Sequence, residues 1–176
     1  MTIASHRLAG YSEDREPNDF YPTPDWATEA LFRVESFQGA VLEPASGDGS
    51  MVNIIKKYNP CTFGDIRTGQ DFFLERTYVE NIITNPPFKH AERFIEHSKG
   101  LARNKIAMFL KLVFLEGQRR QGMFLDVSFP LARVHVFSKR VTLYAGGKNG
   151  KNSGTMAFAW FIWDKDHIGP ATIHWL

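Results

Sequence analysis

The sequence has almost no cysteine and no long apolar run. Its single cysteine, Cys61, excludes an intrachain disulfide and fits a reducing compartment. Lys111 interrupts the most apolar stretch (residues 106–115), and the N-terminus lacks a signal-peptide core. The six histidines show no metal-ligand spacing, and one cysteine cannot build a zinc site. These absences predict a cytoplasmic protein without a membrane span or a metal centre.

Charge is distributed unevenly along the chain, although the formal net charge is only +2. Residues 1–102 carry ten Lys and Arg against fifteen Asp and Glu. Residues 103–151 carry ten basic residues and only two acidic ones. Such an imbalance is typical of a protein that docks a polyanion on one side. The alternative is an ordinary solvated surface.

One segment joins a β-prone run, residues 81–84, to an abrupt turn, Asn85-Pro86-Pro87-Phe88. Proline fixes φ and cannot donate to a sheet, so the strand must end at Asn85. The Asn85 side-chain oxygen and the Pro86 carbonyl can both accept from one exocyclic amine, which localises its lone pair. Phe88 offers a face for stacking a heterocycle, worth about 1–3 kcal/mol per base. The alternative is a proline-terminated strand with a buried phenylalanine.

Asn85-Pro86-Pro87-Phe88 resembles the catalytic motif of S-adenosylmethionine-dependent amino methyltransferases, especially those acting on N6 of adenine in DNA. The resemblance implies that all four residues are catalytic. It also implies direct methyl transfer by positioning, with no covalent enzyme intermediate. Duplex adenine would have to be flipped out of the stack to reach this turn.

An extended lead precedes the first predicted helix. The two prolines of Tyr21-Pro22-Thr23-Pro24 impose an extended segment, and Thr23 can cap a helix with Pro24 at its first position. The segment resembles the motif before the sheet in many adenine methyltransferases. That resemblance implies that Tyr21 and Thr23 contact the methionine end of the cofactor.

Residues 40–57 predict a short strand, a glycine turn and a helix over 51–57. An acid at the strand end suits a cationic ligand better than a phosphate, and S-adenosylmethionine carries an ammonium and a sulfonium. The pattern resembles the family's first cofactor motif. The resemblance implies a set of cofactor contacts that also includes the catalytic asparagine: Glu43, Pro44, Ala45, Gly47 and Asn85.

Two acids lie between the glycine turn and Asn85. A second strand, residues 61–65, ends in Asp65, where an acid of a nucleoside-binding fold accepts from ribose hydroxyls. Asp71 can accept from the cofactor's adenine amine and Phe72 can pack on its ring, as in the family's Asp-Phe element. Each acid taken alone is better explained as a solvated turn residue, and it is their order between the glycine turn and the Asn-Pro-Pro-Phe turn that favours a cofactor site. The linker to the Asn85 strand is too short for a complete third strand.

Strands alternate with helices, which predicts a mostly parallel Rossmann-like α/β sheet. Later strands are predicted over residues 105–110, 134–136, 141–144 and 156–163, with a helix over 91–97. The resemblance implies the class I methyltransferase fold, with seven strands of which the last is antiparallel and inserted beside the fifth. We expect a flexible lead-in over residues 1–18 and a single catalytic domain over 19–176, without a separate target-recognition domain.

Short basic segments could hold a nucleic acid. They are a polar helix at 117–121, a linker at 138–140 and a Gly/Lys/Asn/Ser loop at 146–154. The loop resembles the final loop of small phage-type adenine methyltransferases, although a plain hairpin tip is the alternative. The predicted substrate contacts are Phe88, Lys89, Arg119, Arg120, Lys139, Arg140, Lys148 and Lys151.

The resemblance implies methylation of a flipped adenine in double-stranded DNA, in a phage or restriction-modification setting. Without a recognition domain, we expect a weak or short sequence preference, or a partner chain that supplies recognition. Other enzymes with the same tetrapeptide methylate RNA bases or a glutamine side chain of release factors. An inactive subunit that binds nucleic acid is the non-enzymatic alternative.

Overall fold

The computed structural model describes residues 20–144 and 156–176. The predicted lead-in and the loop that contains Lys148 and Lys151 lie outside the described residues. Seven strands are present in the described ranges: β1 (Val41–Glu43), β2 (Cys61–Phe63), β3 (Val79–Thr84), β4 (Ala102–Lys111), β5 (Leu131–Val136), β6 (Phe158–Asp164) and β7 (Thr172–Trp175). Four α-helices accompany them: α1 (Asp25–Val34), α2 (Ser50–Ile55), α3 (Ala91–Leu101) and α4 (Gln121–Phe124).

The strands form one sheet in the order β2-β1-β3-β4-β6-β5-β7. Neighbours from β2 to β4 are parallel, β6 runs antiparallel to both β4 and β5, and β7 is parallel to β5. The predicted seven-stranded, mostly parallel sheet is confirmed, and so is the absence of a strand between β2 and β3. One detail differs: the antiparallel strand is the sixth along the chain, and an additional edge strand follows it.

Two local predictions are wrong. Residues 141–144 form no strand, because β6 and β7 occupy both sides of β5, although Val141 and Leu143 are buried as alternation suggested. Thr23 does not cap α1, which begins at Asp25 after Pro24 without a side-chain cap. The Thr23 hydroxyl instead accepts a hydrogen bond from Asn85.

The sheet is covered on both faces. Helix α1 packs Ala27 and Leu31 against Phe109 and Trp160, and the Trp160 indole donates to the Ala27 carbonyl at 2.9 Å. Helix α3 covers the other face with buried residues three or four positions apart (Ala91, Phe94, Ile95, Ser98 and Leu101). Strand β6 is buried from Phe158 to Trp163, as expected for a strand between two covered faces.

This topology gives the sheet two different ends. Strands β1 to β4 finish at one end, where β6 begins, and we call this the carboxyl edge. The opposite end, where β4 and β5 begin and β6 finishes, is the amino edge. Ligands of open α/β sheets bind at the carboxyl edge. No helix in the described ranges has both the length and the apolar character that a membrane crossing requires.

Candidate active site

A cavity of about 270 Å³ opens at the carboxyl edge. Its wall is built from the extended segment before α1, the turn between β1 and α2, the segment after β2, and the end of β3. Every residue predicted to contact the cofactor lies in this wall: Tyr21, Thr23, Glu43, Pro44, Ala45, Gly47, Asp65, Asp71, Phe72 and Asn85. Residues up to 64 positions apart are therefore gathered around one space.

The turn after β1 brings its backbone close to neighbouring groups. Gly47 has φ +58°, and a β-carbon there would lie 2.7 Å from the Phe20 ring. Its N–H donates to Asp65 at 2.8 Å, which ties the first turn to the end of β2. Burial disfavours the Asp65 carboxylate, but hydrogen bonds from Arg67 and Gly47 lower its pKa overall. Asp65 thus remains an ionised acceptor in the cavity wall.

Glu43 is the buried acid of the cavity, with only 1% of its surface exposed. The Ala45 N–H donates to its Oε1 at 2.9 Å. Burial raises the pKa of Glu43 from 4.5 to about 8, and the hydrogen bonds only partly oppose that effect. A cationic ligand in this cavity would favour the carboxylate form of Glu43.

The Asn85 amide has a fixed orientation. Its Nδ2 donates to the Tyr21 carbonyl at 2.9 Å and to the Thr23 hydroxyl at 3.0 Å. A backbone carbonyl can only accept, so the NH₂ group must face Tyr21. The Oδ1 atom is buried and receives no hydrogen bond from any described residue. Asn85 therefore keeps a buried acceptor that no described residue satisfies, as does Asn81.

Asp71 and Phe72 form the other side of the cavity. The Asp71 Oδ1 accepts from the Phe73 N–H at 2.9 Å and so begins a 3₁₀ turn, Phe72–Leu74. Phe72 is buried, and its ring packs against Phe94 of α3 with centroids 4.9 Å apart. The hydrogen bond from Phe73 uses Oδ1, one of the two oxygens of the Asp71 carboxylate.

The rest of the Asn-Pro-Pro-Phe turn lies outside the cavity wall, apart from Pro87. Pro86 is buried, and Phe88 is half-buried in an aromatic cluster. Phe88 stacks on Tyr21 at 6.1 Å and contacts Phe158 at 5.9 Å, and the Lys111 ammonium lies 4.5 Å from its ring centroid. A base that stacks on Phe88 must therefore displace or join one of these groups.

The predicted basic contacts differ in their surroundings. Lys89 is exposed at the cavity wall, and Lys139 and Arg140 are exposed after β5 at the same edge. The Lys139 ammonium lies 5.3 Å from the Trp26 ring. Arg119 is 90% exposed, with its guanidinium 3.9 Å from the Glu92 carboxylate, whereas Arg120 directs its donors to the Phe114 and Glu116 carbonyls and to Glu92. Arg120 thus holds its own segment together, and Arg119 is the better candidate for a phosphate contact.

Sequence reasoning missed two residues beside Phe88. Lys111 ends β4 and pairs with Phe158 at the start of β6, so both reach the carboxyl edge next to the turn. The position of Lys111 could have been predicted, because a lysine inside an apolar run indicates where a buried strand ends. The position of Phe158 could not, because it depends on the antiparallel register of β6. Within the described ranges, no three His, Cys, Asp or Glu residues are grouped as metal ligands would be.

Solved structures share this architecture, although no protein-family model and no curated protein matches the sequence. A Listeria monocytogenes protein described as a class I S-adenosylmethionine-dependent methyltransferase has a TM-score of 0.63 at 10% identity, covering 96% of this chain and 68% of its own. The methyltransferase subunit of a Streptococcus thermophilus type I restriction-modification system gives 0.56 at 13% identity, covering 81% and 43%. PH1948 of Pyrococcus horikoshii, described as an RNA methyltransferase, gives 0.50 at 14% identity, covering 80% of both chains.

At these identities the similarity establishes the fold. The chain has the Rossmann-like fold of class I methyltransferases, as the sequence motifs predicted. It spans less than half the length of the Streptococcus subunit.

Proposed function

We propose that this protein transfers a methyl group from S-adenosylmethionine to the N6 amine of an adenine in DNA. The observation that carries the proposal is the Asn85 amide, whose NH₂ group is held by Tyr21 and Thr23 while its oxygen stays unpaired. An acceptor with this fixed orientation suits an incoming N–H donor. The sequence resemblance assigns the second acceptor to the carbonyl of Pro86, which is buried next to the two cavity-wall residues Asn85 and Pro87.

The cavity supports the cofactor assignment. Glu43 provides a buried carboxyl group, which suits the ammonium and sulfonium of S-adenosylmethionine. The glycine turn brings its backbone close to the same space, and Asp65 and Asp71 offer acceptors for ribose and adenine. When bound, this cofactor supplies an electrophilic methyl group. The chain's own task is to orient the amine in line with it.

Charge and position favour a nucleic acid as the second substrate. Lys89, Arg119, Lys139 and Arg140 lie at the edge that carries Asn85, and Lys111 contacts the Phe88 ring. The Streptococcus neighbour belongs to a restriction-modification system, which favours DNA, and its larger size is compatible with recognition supplied by further segments or a partner chain. A duplex would present its adenine by base flipping.

The deciding experiment is methyl transfer from radiolabelled S-adenosylmethionine to duplex DNA, RNA and protein side by side, followed by nucleoside analysis. We expect N6-methyladenine in DNA. Label in RNA alone would favour the class of the Pyrococcus neighbour, and label in a protein glutamine would contradict the nucleic-acid assignment. Failure to bind S-adenosylmethionine in calorimetry would favour an inactive subunit.

The role of the amide is tested with Asn85→Ala. We expect turnover to fall by at least about 100-fold, as when a preorganised transition-state group is removed. Cofactor affinity should change little, and the melting temperature should fall by a few degrees because the hydrogen bonds to Tyr21 and Thr23 are lost. Asn104→Ala is the matched control, because Asn104 lies near the start of β4 at the amino edge and should keep full activity. Wild-type turnover by the Asn85 variant would overturn the proposal.

A further inference from the structure

A short apolar turn follows β4 at the carboxyl edge. Residues Leu112–Leu115 form a 3₁₀ turn directly after Lys111, and the Leu112 N–H donates to the Ala157 carbonyl at 2.8 Å. Leu112 and Phe114 pack against the core on the α3 face. Val113 and Leu115 alternate with them and are 55% and 37% exposed. The turn therefore presents two aliphatic side chains to solvent next to the Asn-Pro-Pro-Phe turn.

This turn is anchored firmly. The Arg120 Nε donates to the Phe114 carbonyl at 2.9 Å, and the guanidinium lies 4.8 Å from the Phe114 ring centroid. Nη1 of the same side chain donates to Glu92 of α3 at 3.2 Å. The Phe114 ring also packs edge-on against Phe161 of β6 at 5.9 Å. Val113 and Leu115 consequently stand on a support that is fixed to the sheet and to α3.

Basic side chains outnumber acidic ones around the turn. Lys111 precedes the turn, and Arg119 and Arg120 follow it and pair with Glu92 of α3, while Glu116 comes directly after Leu115. Exposed aliphatic side chains on such a surface fit a partner that has an anionic surface and an apolar interior. A DNA duplex has this character, with phosphates around a stack of bases, and proteins that open a duplex insert aliphatic wedges between base steps.

We propose that Val113 and Leu115 form a wedge that enters the base stack at the position left by the flipped adenine. This inference rests on the proposed DNA methylation and names the surface that opens the duplex. The wedge fills the gap while Lys111 and Arg119 contact the flanking phosphates. Methylation of a paired adenine therefore requires the wedge. Methylation of an unpaired adenine does not, because a single strand has no base stack to open.

The test compares two double variants of the full chain. Val113→Ser with Leu115→Ser removes the wedge. Leu125→Ser with Val127→Ser is the matched control, since these residues are 70% and 91% exposed in the segment before β5, at the amino edge. Each variant is assayed on one DNA sequence as an intact duplex, as a duplex mismatched at the adenine, and as a single strand. A 2-aminopurine at the target position reports flipping by its fluorescence.

For the wedge variant we expect kcat/KM to fall at least about tenfold on the intact duplex, with a matching loss of the fluorescence increase. Its activity on the mismatched duplex and the single strand should stay within about twofold of wild type. The control should match wild type on all three. An equal loss of kcat/KM on all three substrates, or no loss on the intact duplex, would overturn the wedge proposal. An inactive wild type on every DNA would instead overturn the proposed function.

Discussion

Each of the two edges of the sheet has one buried glutamate. The pKa of one is raised above its ordinary value, and the pKa of the other is lowered. At the carboxyl edge, burial raises the pKa of Glu43 to about 8. At the amino edge, burial also opposes ionisation of Glu35, but hydrogen bonds from His135 and Arg133 and the charge of Lys105 lower its pKa to about 2. Both carboxyl groups are almost fully buried, so the difference comes from their partners.

The amino-edge cluster is closely paired. Glu35 follows α1 and binds Arg133, with Nη2 to Oε2 at 3.0 Å, Lys105 at 3.1 Å, and His135 at 2.9 Å. Arg133 also donates to Asp164 at 2.9 Å. These contacts fasten α1 to the starts of β4 and β5 and to the end of β6. At the carboxyl edge the buried Asn85 oxygen has no partner among the described residues, and at the amino edge neither has His135 Nδ1. The two edges differ in ion pairing, because Glu35 contacts Arg133 and Lys105, whereas Glu43 contacts no cation in the described part of the chain.

The largest effect should follow from breaking the amino-edge cluster. Arg133→Met leaves Glu35 and Asp164 each without a main partner, and breaking a buried ion pair costs roughly 3–5 kcal/mol. We expect the lower end of that range because Lys105 and His135 still contact Glu35. Urea unfolding measures the loss. Arg67→Met, at the carboxyl edge, should cost less than about 1 kcal/mol because its pair with Asp65 is partly exposed. Equal costs would contradict the comparison.

The second prediction concerns pH. Because the pKa of Glu43 is raised above 4.5, the folded protein holds a proton that the unfolded chain releases, so stability should fall as pH rises from about 4.5 to about 8. A cationic cofactor favours the carboxylate, so its affinity should rise by up to about tenfold per pH unit in this window, about 1.4 kcal/mol. Calorimetry across pH 5.5–9 measures the slope.

Glu43→Gln should flatten both pH dependences. Glu35→Gln is the matched control, because the Glu35 pKa of about 2 keeps this group ionised throughout that window. The control should lose stability and keep the slope of cofactor affinity. An unchanged slope in the Glu43 variant would remove Glu43 from the cofactor site.

The sequence predicted the carboxyl edge much better than the amino edge, and the reason is topological. Parallel strands connected by helices end side by side, so Glu43, Asp65 and Asn85 had to converge once their strands were recognised. The Glu35 cluster joins residues 98 and 100 positions apart through an antiparallel register. No local pattern encodes such a register.

The same limit explains the errors. Residues 141–144 alternate like a strand because they pack on the core, and only the position of β7 shows that both sides of β5 are already paired. The Thr23 side chain looked like a helix cap from its neighbours in sequence. Its contact with Asn85 spans 62 residues and could not be predicted locally.

The third prediction sharpens the role of Thr23 at the carboxyl edge. Thr23→Val removes one of the two acceptors that orient the Asn85 amide, a net loss of about 1 kcal/mol for a hydrogen bond. We expect kcat to fall about fivefold to tenfold, with cofactor affinity within twofold of wild type and recovery in Thr23→Ser. Steady-state kinetics and calorimetry separate these quantities. Loss of cofactor affinity with unchanged kcat would instead make Thr23 a cofactor ligand, as the sequence resemblance implies.

The smallest effect distinguishes the two edges as surfaces for a polyanion. Arg119 and Arg103 are both exposed, but Arg119 lies beside the Asn85 turn and Arg103 lies at the start of β4 on the amino edge. Each phosphate contact adds about 0.9 to the slope of log affinity against log salt. Arg119→Ala should therefore lower that slope for duplex DNA by about one and weaken binding a few-fold at moderate salt. Arg103→Ala should leave the slope unchanged. If both variants lose the same slope, DNA does not discriminate between the edges, and the uneven charge of the chain reflects general attraction and not a docking face.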